Sequence, residues 1–258
     1  MEFDIKKISK IVVKVGTSTL AHPTGRLNIR RVEALTRVLA DIKNTGKEVI
    51  LVTSGAIGVG AGVLGMSERP RETTAKQAAA AVGQCELMNV YGDEFGKYGH
   101  TVAQILLTKD VVNNEKSNIN AQNTFKKLLE LGAIPIVNEN DTISTEEAEF
   151  GDNDNLSAVV ALLSGAELLI ILTDIDGVYS ANPREDKDAK KIEILDDIEG
   201  AMKSAGGAGS SHGTGGMITK LEAAKTARRG GIHTIIASGE NPEVLYDILE
   251  GKQIGTLI

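Results

Sequence analysis

The stretch DNLSAVVALLSGAELLIILT, residues 154–173, joins a helix pattern directly to a strand pattern. Its first part, 154–166, spaces apolar residues as one face of a helix does and reaches a glycine near its end. The run LLIILT, 168–173, is apolar at every position but the last, instead of at alternate positions. Such continuous hydrophobicity is typical of a strand that is buried on both faces of a parallel sheet. The stretch therefore predicts an α/β fold.

The same two patterns alternate along the rest of the chain. Five more strand-like runs are rich in β-branched residues; they are 10–15, 48–53, 101–107, 133–138 and 233–238. Helix-like segments lie among them, at 28–46, 74–99, 118–132 and 217–231. This order predicts a three-layer αβα sandwich with a mostly parallel central sheet. Because no repeat, low-complexity tract or linker divides the sequence, we expect residues 1–258 to form a single domain.

Composition and charge restrict the classes of function. The 258 residues are 41% hydrophobic but only 3% aromatic, which predicts an aliphatic core, and the net charge is −7. An acidic chain with few stacking residues is a poor nucleic-acid binder, so an anion site must gather positive charge locally. Cys85 is the only cysteine; this fits a reducing compartment, and we expect Cys85 to be buried in an alanine-rich helix. Without a targeting segment or a run long enough to span a membrane, we expect a cytoplasmic protein.

Three features near the predicted strand ends suit an anion, and ligands of open α/β sheets bind beyond the carboxyl ends of the strands. Lys14 lies in the first strand, and Gly16 begins the turn that leaves it. The small residues of TSGA, 53–56, leave backbone N–H groups accessible. The segment GSSHGTGGMITK, 209–220, combines glycines with a helix start near Met217 and the charge of Lys220. A solvent-facing lysine or a surface loop is the ordinary alternative for each, but together they favour phosphate binding.

Two common nucleotide-binding motifs do not account for these features. Residues 60–65 match G-x-G-x-x-G, but the glycines begin well past the strand end, and no acidic residue ends a second strand about 20 residues later. We therefore interpret 60–65 as a helical or packing segment. The P-loop pattern G-x-x-x-x-G-K-[ST] does not occur in the sequence.

Carboxylates and amides crowd two short loops after the fourth predicted strand. Turn and helix-cap preferences explain one or two of them but not the whole set. The set is Asn138, Glu139, Asn140, Asp141, Asp152, Asn153, Asp154 and Asn155. These groups suit a zwitterionic ligand with an ammonium group, or a metal ion, although their spacing does not match an EF-hand. The acidic turn TDIDG, 173–177, follows the fifth strand and has ordinary turn chemistry as its alternative.

Six segments, in order, resemble the motifs of the glutamate 5-kinases, a branch of the amino acid kinase family: VKVGTSTL, VTSGAIGVGAGVLG, NENDTIS, GDNDNLSAVVA, ILTDIDGVYSANP and GTGGMITKLEAAKTA. The resemblance extends from about Lys10 to Ser238. It implies an amino acid kinase-like fold and ATP-dependent phosphorylation of the γ-carboxylate of L-glutamate, the first step toward proline. Many bacterial members carry a further C-terminal domain of the PUA type, which we expect this chain, ending at Ile258, to lack.

The resemblance also implies a role for each matching residue. Lys14 and Lys220 would stabilise the transferring phosphoryl group, and Asp154 would orient both lysines. The residues implied in ATP binding are Lys14, Gly16, Thr173, Asp174, Thr214, Gly215, Gly216, Met217, Ile218, Thr219 and Lys220. Those implied in substrate binding are Ser54, Gly55, Asn138, Asp141 and Asn153. The N-terminal part would bind the substrate and the C-terminal part the nucleotide, with Mg²⁺ carried by ATP and not by a metal site of the protein.

The chemistry of this reaction agrees with the residues available. A carboxylate acceptor is already ionised at pH 7, so no general base is needed, and of the histidines only His212 lies in a candidate motif. N-acetylglutamate kinase and uridylate kinase are alternatives from the same family, and a catalytically silent sensor is one from another class. Two lysines suited to a reacting phosphate argue against the sensor, and Asp141 suits the α-ammonium of free glutamate. We also expect a homo-oligomer (a dimer or tetramer), feedback inhibition by proline, and no nucleic-acid or membrane partner.

Overall fold

The apolar runs of the sequence form the central sheet of a computed structural model that describes residues 4–20, 22, 26–144, 153–183, 186–205 and 216–258. Its strands are β1 (Lys10–Val15), β2 (Glu48–Val52), β3 (Val102–Leu107), β4 (Ile134–Glu139), β5 (Leu168–Thr173), β6 (Val178–Tyr179), β7 (Lys191–Ile192), β8 (His233–Ser238) and β9 (Thr256–Leu257). Within these residues the main sheet has the order β3-β4-β2-β1-β5-β8-β9, while β6 and β7 form a separate antiparallel pair. All neighbours in the main sheet are parallel except β8 and β9. The predicted mostly parallel sheet is confirmed.

Helices connect the parallel strands, as crossover connections require. They are α1 (Thr17–Leu20), α2 (Ile29–Asn44), α3 (Ala56–Val63), α4 (Thr73–Gly96), α5 (Asp110–Asn113), α6 (Glu115–Glu130), α7 (Asn153–Ser164), α8 (Ile198–Ala205), α9 (Met217–Arg229) and α10 (Val244–Leu249). Two starts are fixed by asparagine caps: Asn28 accepts from the Arg31 N–H at 3.2 Å, and Asn114 accepts from the Ser117 N–H at 3.1 Å. In the described part of the chain, no helix is both long enough and apolar enough to cross a membrane.

Alternate strand residues pack into two separate, mainly aliphatic cores, one on each face of the sheet. Ile11 and Val13 of β1 pack into the core formed with α2, α3, α4 and α10. Val12, between them, packs into the core formed with α5–α9. This is the period-2 alternation of a strand, with both faces buried. The predicted three-layer αβα sandwich is therefore confirmed, and the face of β1 that carries Val12 also carries Lys14.

Gly60, the first glycine of 60–65, lies at a helix crossing. Gly60 lies within α3, and a Cβ added to it would be 1.7 Å from the carbonyl oxygen of Ala79 in α4. A Cβ on Gly83 of α4 would be 1.8 Å from the carbonyl oxygen of Ala56. The two helices thus touch backbone to backbone, which only glycine permits at these positions. This confirms the interpretation of 60–65 as a helical packing segment.

One expectation about a single residue differs from the structure. Cys85 is exposed, contrary to the prediction that it is buried. The neighbouring Gln84 takes the buried position, because the face of α4 that enters the core is set by Leu87, Tyr91 and Phe95.

Candidate active site

The strand order brings the predicted site residues to one edge of the sheet. Strands β4, β2, β1 and β5 are consecutive neighbours and run parallel. Their carboxyl ends therefore lie side by side, and so do the helix starts and turns that follow them. In open α/β sheets this edge is where ligands bind.

A carboxylate held between two lysines lies at the centre of this edge. Asp154, in the first turn of α7, forms an ion pair through Oδ1 with the ammonium of Lys14 on β1. Its other oxygen, Oδ2, lies 3.1 Å from Nζ of Lys220, in the first turn of α9. The cluster forms because the Lys14 face of β1 is the one that α7 and α9 cover. The structure thus places Asp154 between the two lysines that the resemblance implies it would orient.

The carboxylate and the two ammonium groups of this cluster are buried. The side chain of Asp154 is 0% exposed and those of Lys14 and Lys220 are 5% exposed. Burial raises the pKa of the Asp154 carboxyl, but the nearby ammonium groups of Lys14 and Lys220 outweigh this and hold its pKa below its ordinary value. Asp154 is therefore ionised at neutral pH.

The start of α9 supplies additional groups directed at the same carboxylate. The hydroxyl of Thr219 lies 3.1 Å from Oδ2 of Asp154 and 2.8 Å from the carbonyl oxygen of Gly216. Gly216 is the N-cap residue of α9 and makes no side-chain cap. Uncapped N–H groups at a helix start favour anions. Met217 and Ile218 lie in this first turn, whereas Thr214 and Gly215 lie outside the described residues.

The other predicted nucleotide residues lie at the carboxyl ends of two adjacent strands. Val15 of β1 pairs with Leu172 of β5, so Gly16 and Thr173 come next on neighbouring strands. The buried hydroxyl of Thr173 donates to Oδ1 of Asp174 at 3.1 Å. Asp174 itself is exposed. The structure thus places Gly16, Thr173 and Asp174 at the same edge as the lysines.

The predicted substrate residues meet through the side-chain amide of Asn153. Its Nδ2 donates to Oγ of Ser54 at 2.9 Å and to Oδ1 of Asn138 at 2.8 Å, and it also donates to the carbonyl oxygen of Thr53. Asn153 immediately precedes Asp154 at the start of α7. One helix start therefore joins the amide cluster to the lysine cluster.

Gly55 shapes the turn between β2 and α3. Its φ of 105° lies in the left-handed region, which disfavours any residue with a Cβ. The turn brings Ser54 to the end of β2 and starts α3 immediately afterwards. A side chain at Gly55 would also contact Thr17, at 3.6 Å.

Asp141 lies in a turn that directly follows β4. Backbone N–H groups of Ile143 and Ser144 donate to the carbonyl oxygen of Asn140 and close this turn. The hydroxyl of Ser144 donates to the buried carboxylate of Glu139 at 3.0 Å. These bonds hold Asp141 next to the carboxyl end of β4, at the edge that carries the other candidate residues.

Sequence reasoning missed the residues that support the site from helix α4. Gln84 accepts a hydrogen bond from Nδ2 of Asn138 at 2.9 Å, and the hydroxyl of Tyr91 lies 2.8 Å from that of Thr53. Nε2 of Gln77 donates to the carbonyl oxygen of Ser144 at 3.2 Å. The spacing of seven residues between Gln84 and Tyr91 places both on one helix face and was the available signal.

The family to which the chain belongs follows from this fold, this site and a match of residues 9–238 to the amino acid kinase family. The chain is a member of the amino acid kinase family. It is 56% identical to a glutamate 5-kinase of Clostridium perfringens (strain 13 / Type A), with 98% of this chain and 96% of the relative covered. It is 50% identical to a glutamate 5-kinase of Listeria monocytogenes (strain EGD-e), with 100% of this chain and 95% of the relative covered.

Solved structures support the fold. Carbamate kinase from Giardia lamblia bound to AMP-PNP matches with a TM-score of 0.69 at 16% identity and covers 98% of this chain and 99% of its own. UMP kinase from Bacillus anthracis matches with a TM-score of 0.67 at 17% identity, covering 97% of this chain and 96% of its own. At such identities the likeness concerns the fold alone.

Proposed function

We propose that this protein transfers the γ-phosphoryl group of ATP to the γ-carboxylate of L-glutamate, producing L-glutamyl 5-phosphate in the first step of proline biosynthesis. Glutamate 5-kinases at 56% and 50% identity over nearly their whole length support this assignment. The proposed enzyme is a phosphotransferase whose acceptor is a carboxyl group.

The observation that carries the proposal is the sequence of contacts at the start of α7. Asp154 binds both buried lysines, and the adjacent Asn153 binds Ser54 and Asn138. A group held at Ser54 would therefore lie next to a pair of positive charges. Phosphoryl transfer depends mainly on such positioning and charge stabilisation.

The proposed reaction uses the chain's charges and not a general base. The γ-carboxylate of glutamate is ionised at neutral pH and can attack directly. Lys14 and Lys220 stabilise the charge on the transferring phosphoryl group and on the leaving phosphate. Asp154 keeps both ammonium groups in place, and its complete burial between them removes it from the role of nucleophile.

We propose that the nucleotide lies over the part of the sheet edge that is formed mainly by the C-terminal half of the chain, and that glutamate lies over the part formed mainly by the N-terminal half. Gly16, Thr173, Asp174 and the α9 start would contact ATP, together with Thr214 and Gly215. Ser54, Gly55, Asn138, Asp141 and Asn153 would contact glutamate. Asn138 is the least direct of these, since its amide is engaged by Gln84, Asn153 and the Glu139 N–H.

Magnesium fits this site as a companion of ATP. The central carboxylate of Asp154 is engaged by two lysines, and the described residues contain no group of three acidic, histidine or cysteine side chains placed to hold a metal. Mg²⁺ binds readily through substrate phosphates and water. The ion would neutralise charge on the phosphates, while Lys14 and Lys220 act from the protein side.

Three further properties belong to the proposal. We propose that the protein acts in the cytoplasm as a homo-oligomer and that proline inhibits it. Sedimentation of the purified chain tests the oligomer, and titration of proline into the kinase assay tests the inhibition. Unchanged activity at millimolar proline would remove that part of the proposal.

A screen that traps the acyl phosphate with hydroxylamine tests the main proposal. ATP is supplied with L-glutamate, N-acetylglutamate, UMP or carbamate, and ADP release is followed in parallel. We expect hydroxamate and ADP with L-glutamate, and little turnover with the other acceptors. ADP release with another acceptor but not with glutamate would contradict the proposal, and binding of ATP without any turnover would favour a sensor.

A further inference from the structure

Helix α4 contributes a buried amide to the substrate half of the site. Gln84 is 6% exposed and lies on the face of α4 that packs against the sheet. Its Oε1 accepts from Nδ2 of Asn138, which is 2% exposed. Among the described residues to which a substrate or ATP contact is assigned, Asn138 is the one that Gln84 is hydrogen-bonded to.

Backbone groups determine which way the side-chain amides of Asn138 and Asn153 point. The Glu139 N–H, which can only donate, lies 2.9 Å from Oδ1 of Asn138. The carbonyl oxygen of Thr53, which can only accept, receives a hydrogen bond from Nδ2 of Asn153. The order of hydrogen bonds is therefore Asn153 Nδ2 to Asn138 Oδ1, and Asn138 Nδ2 to Gln84 Oε1.

This order decides which atoms remain for a ligand. The Nδ2 group of Asn153 is occupied by protein acceptors, so its Oδ1 is the atom that can accept from a ligand. Ser54 Oγ accepts from Asn153, so its hydroxyl hydrogen is the part that can donate. An acceptor suits an ammonium group, and a donor suits a carboxylate.

We propose that Gln84 is a positioning residue that, through Asn138, holds Asn153 with its oxygen toward the α-ammonium of the acceptor. This rests on the proposed function. Without Gln84, the Nδ2 group of Asn138 would be a buried donor with no partner, a state that drives a side chain to another rotamer. Asn153 would then lose one of the bonds that fix its amide.

The experiment compares three variants of the full-length protein in the glutamate kinase assay. Gln84→Met removes the acceptor at similar size, and Gln84→Glu keeps an oxygen toward Asn138. Asn89→Met makes the same kind of change on the exposed face of α4. Readouts are KM for glutamate, KM for ATP, kcat, and the inhibition constant of glutarate, which lacks the α-ammonium. Thermal melting reports the folded state.

For Gln84→Met we expect KM for glutamate to rise about 10-fold, a modest effect because Gln84 acts through another residue. The inhibition constant of glutarate, kcat and KM for ATP should change less than about 3-fold. Gln84→Glu should restore most of the affinity for glutamate, and Asn89→Met should match the wild type. In Gln84→Met, equal losses of affinity for glutamate and glutarate would show a purely structural role and overturn the proposal, and so would a Gln84→Glu variant that binds glutamate no better than Gln84→Met. Should Gln84→Met fail to fold, Gln84→Glu decides: affinities for glutamate and glutarate that both stay within about 3-fold of the wild type support positioning, because an acceptor oxygen is kept, and a loss of affinity for both ligands overturns it. A wild-type protein inactive on glutamate would overturn the proposed function itself, and this inference with it.

Discussion

Lys14 and Lys220 are the residues whose charge most directly matches the proposed reaction. Each is 5% exposed and is held by Asp154, so neither is a surface lysine. We expect Lys14→Ala or Lys220→Ala to lower kcat roughly 10²-fold or more, because each removes charge placed for the transition state. Lys220→Arg should restore activity only in part, since a planar guanidinium cannot replace a compact ammonium. Steady-state kinetics measure both, and near-native kcat in the two alanine variants would show that the phosphoryl site lies elsewhere.

Asp154 links the site to the acid stability of the protein. The pKa of its carboxyl is below the ordinary value of 3.8, so its stabilising effect is complete above that pH and is lost as the pH falls through the lower, folded-state pKa. Asp154→Asn removes a carboxylate that is paired with two buried ammonium groups and should cost about 3 kcal/mol of unfolding free energy at pH 7. The variant should also lose less stability than the wild type below pH 3.8. Urea unfolding across pH measures both effects, and equal stability at pH 7 would refute the structural role of the cluster.

The charge of Asp141 tests whether the substrate is free L-glutamate. We expect Asp141→Asn to raise KM for glutamate roughly 10²-fold, because the α-ammonium loses a charged partner, with little change in KM for ATP. An asparagine caps a turn as well as an aspartate does. A wild-type KM in the variant would therefore mean that Asp141 only shapes the turn after β4.

At the scale of elements, the crossing of α3 and α4 supports the substrate residues, since α3 starts directly after Ser54 and Gly55 and α4 carries Gln84. Gly60→Ala would place a Cβ 1.7 Å from the carbonyl oxygen of Ala79, so the helices must separate. We expect a loss of about 1–3 kcal/mol, as overpacking gives. Gly58→Ala is the matched control on the same helix, where an added Cβ meets nothing within 4 Å. Its stability should be equal or slightly higher, since alanine favours the helix. Chemical denaturation compares the two, and equal effects would show that the crossing tolerates a side chain.

The same elements show what the sequence could and could not predict. Continuous apolar runs such as 168–173 identify buried parallel strands without any knowledge of contacts, and the sheet follows from them. Helix α4 is rich in alanine, so its amphipathic pattern is weak and its buried face cannot be read from composition. Cys85 was consequently predicted to be buried, whereas Gln84 is. Glycine usually lowers helix propensity, and the close approach of α4 explains why a glycine lies at position 60 of α3.

Among the site residues, whether a contact could be predicted from the sequence depends on how far apart its two partners lie along the chain. Lys14, Asp154 and Lys220 lie on three separate elements, and motif resemblance placed them together where periodicity alone could not. Residues such as Tyr91 and Gln77 act through contacts across the fold, and their spacing along α4 does not indicate which residues they contact. Long-range hydrogen bonds of this kind need the folded chain to be seen.

At the scale of the whole molecule, α7 makes the two halves of the sheet edge depend on each other. Asn153 holds the amide cluster and Asp154 holds the lysines, one residue apart. A complex that resembles the transition state should therefore need both halves at once. We expect glutamate, MgADP and aluminium fluoride together to raise the melting temperature by more than the sum of their separate effects.

The size of this shift follows from binding linkage. A ligand present at about 100 times its dissociation constant adds roughly 2.7 kcal/mol to the free energy of unfolding. For a chain of this length, this corresponds to a rise of about 5–10 °C in the melting temperature. In Lys220→Ala the three ligands should give only additive shifts, because aluminium fluoride loses a charge placed for the transferring phosphoryl group. Asn89→Met, on the exposed face of α4, serves as the control and should behave as the wild type. Differential scanning fluorimetry measures all combinations. Additive shifts in the wild type would mean that the amide cluster and the lysine cluster bind their ligands independently, and that the start of α7 does not join them into one reaction site.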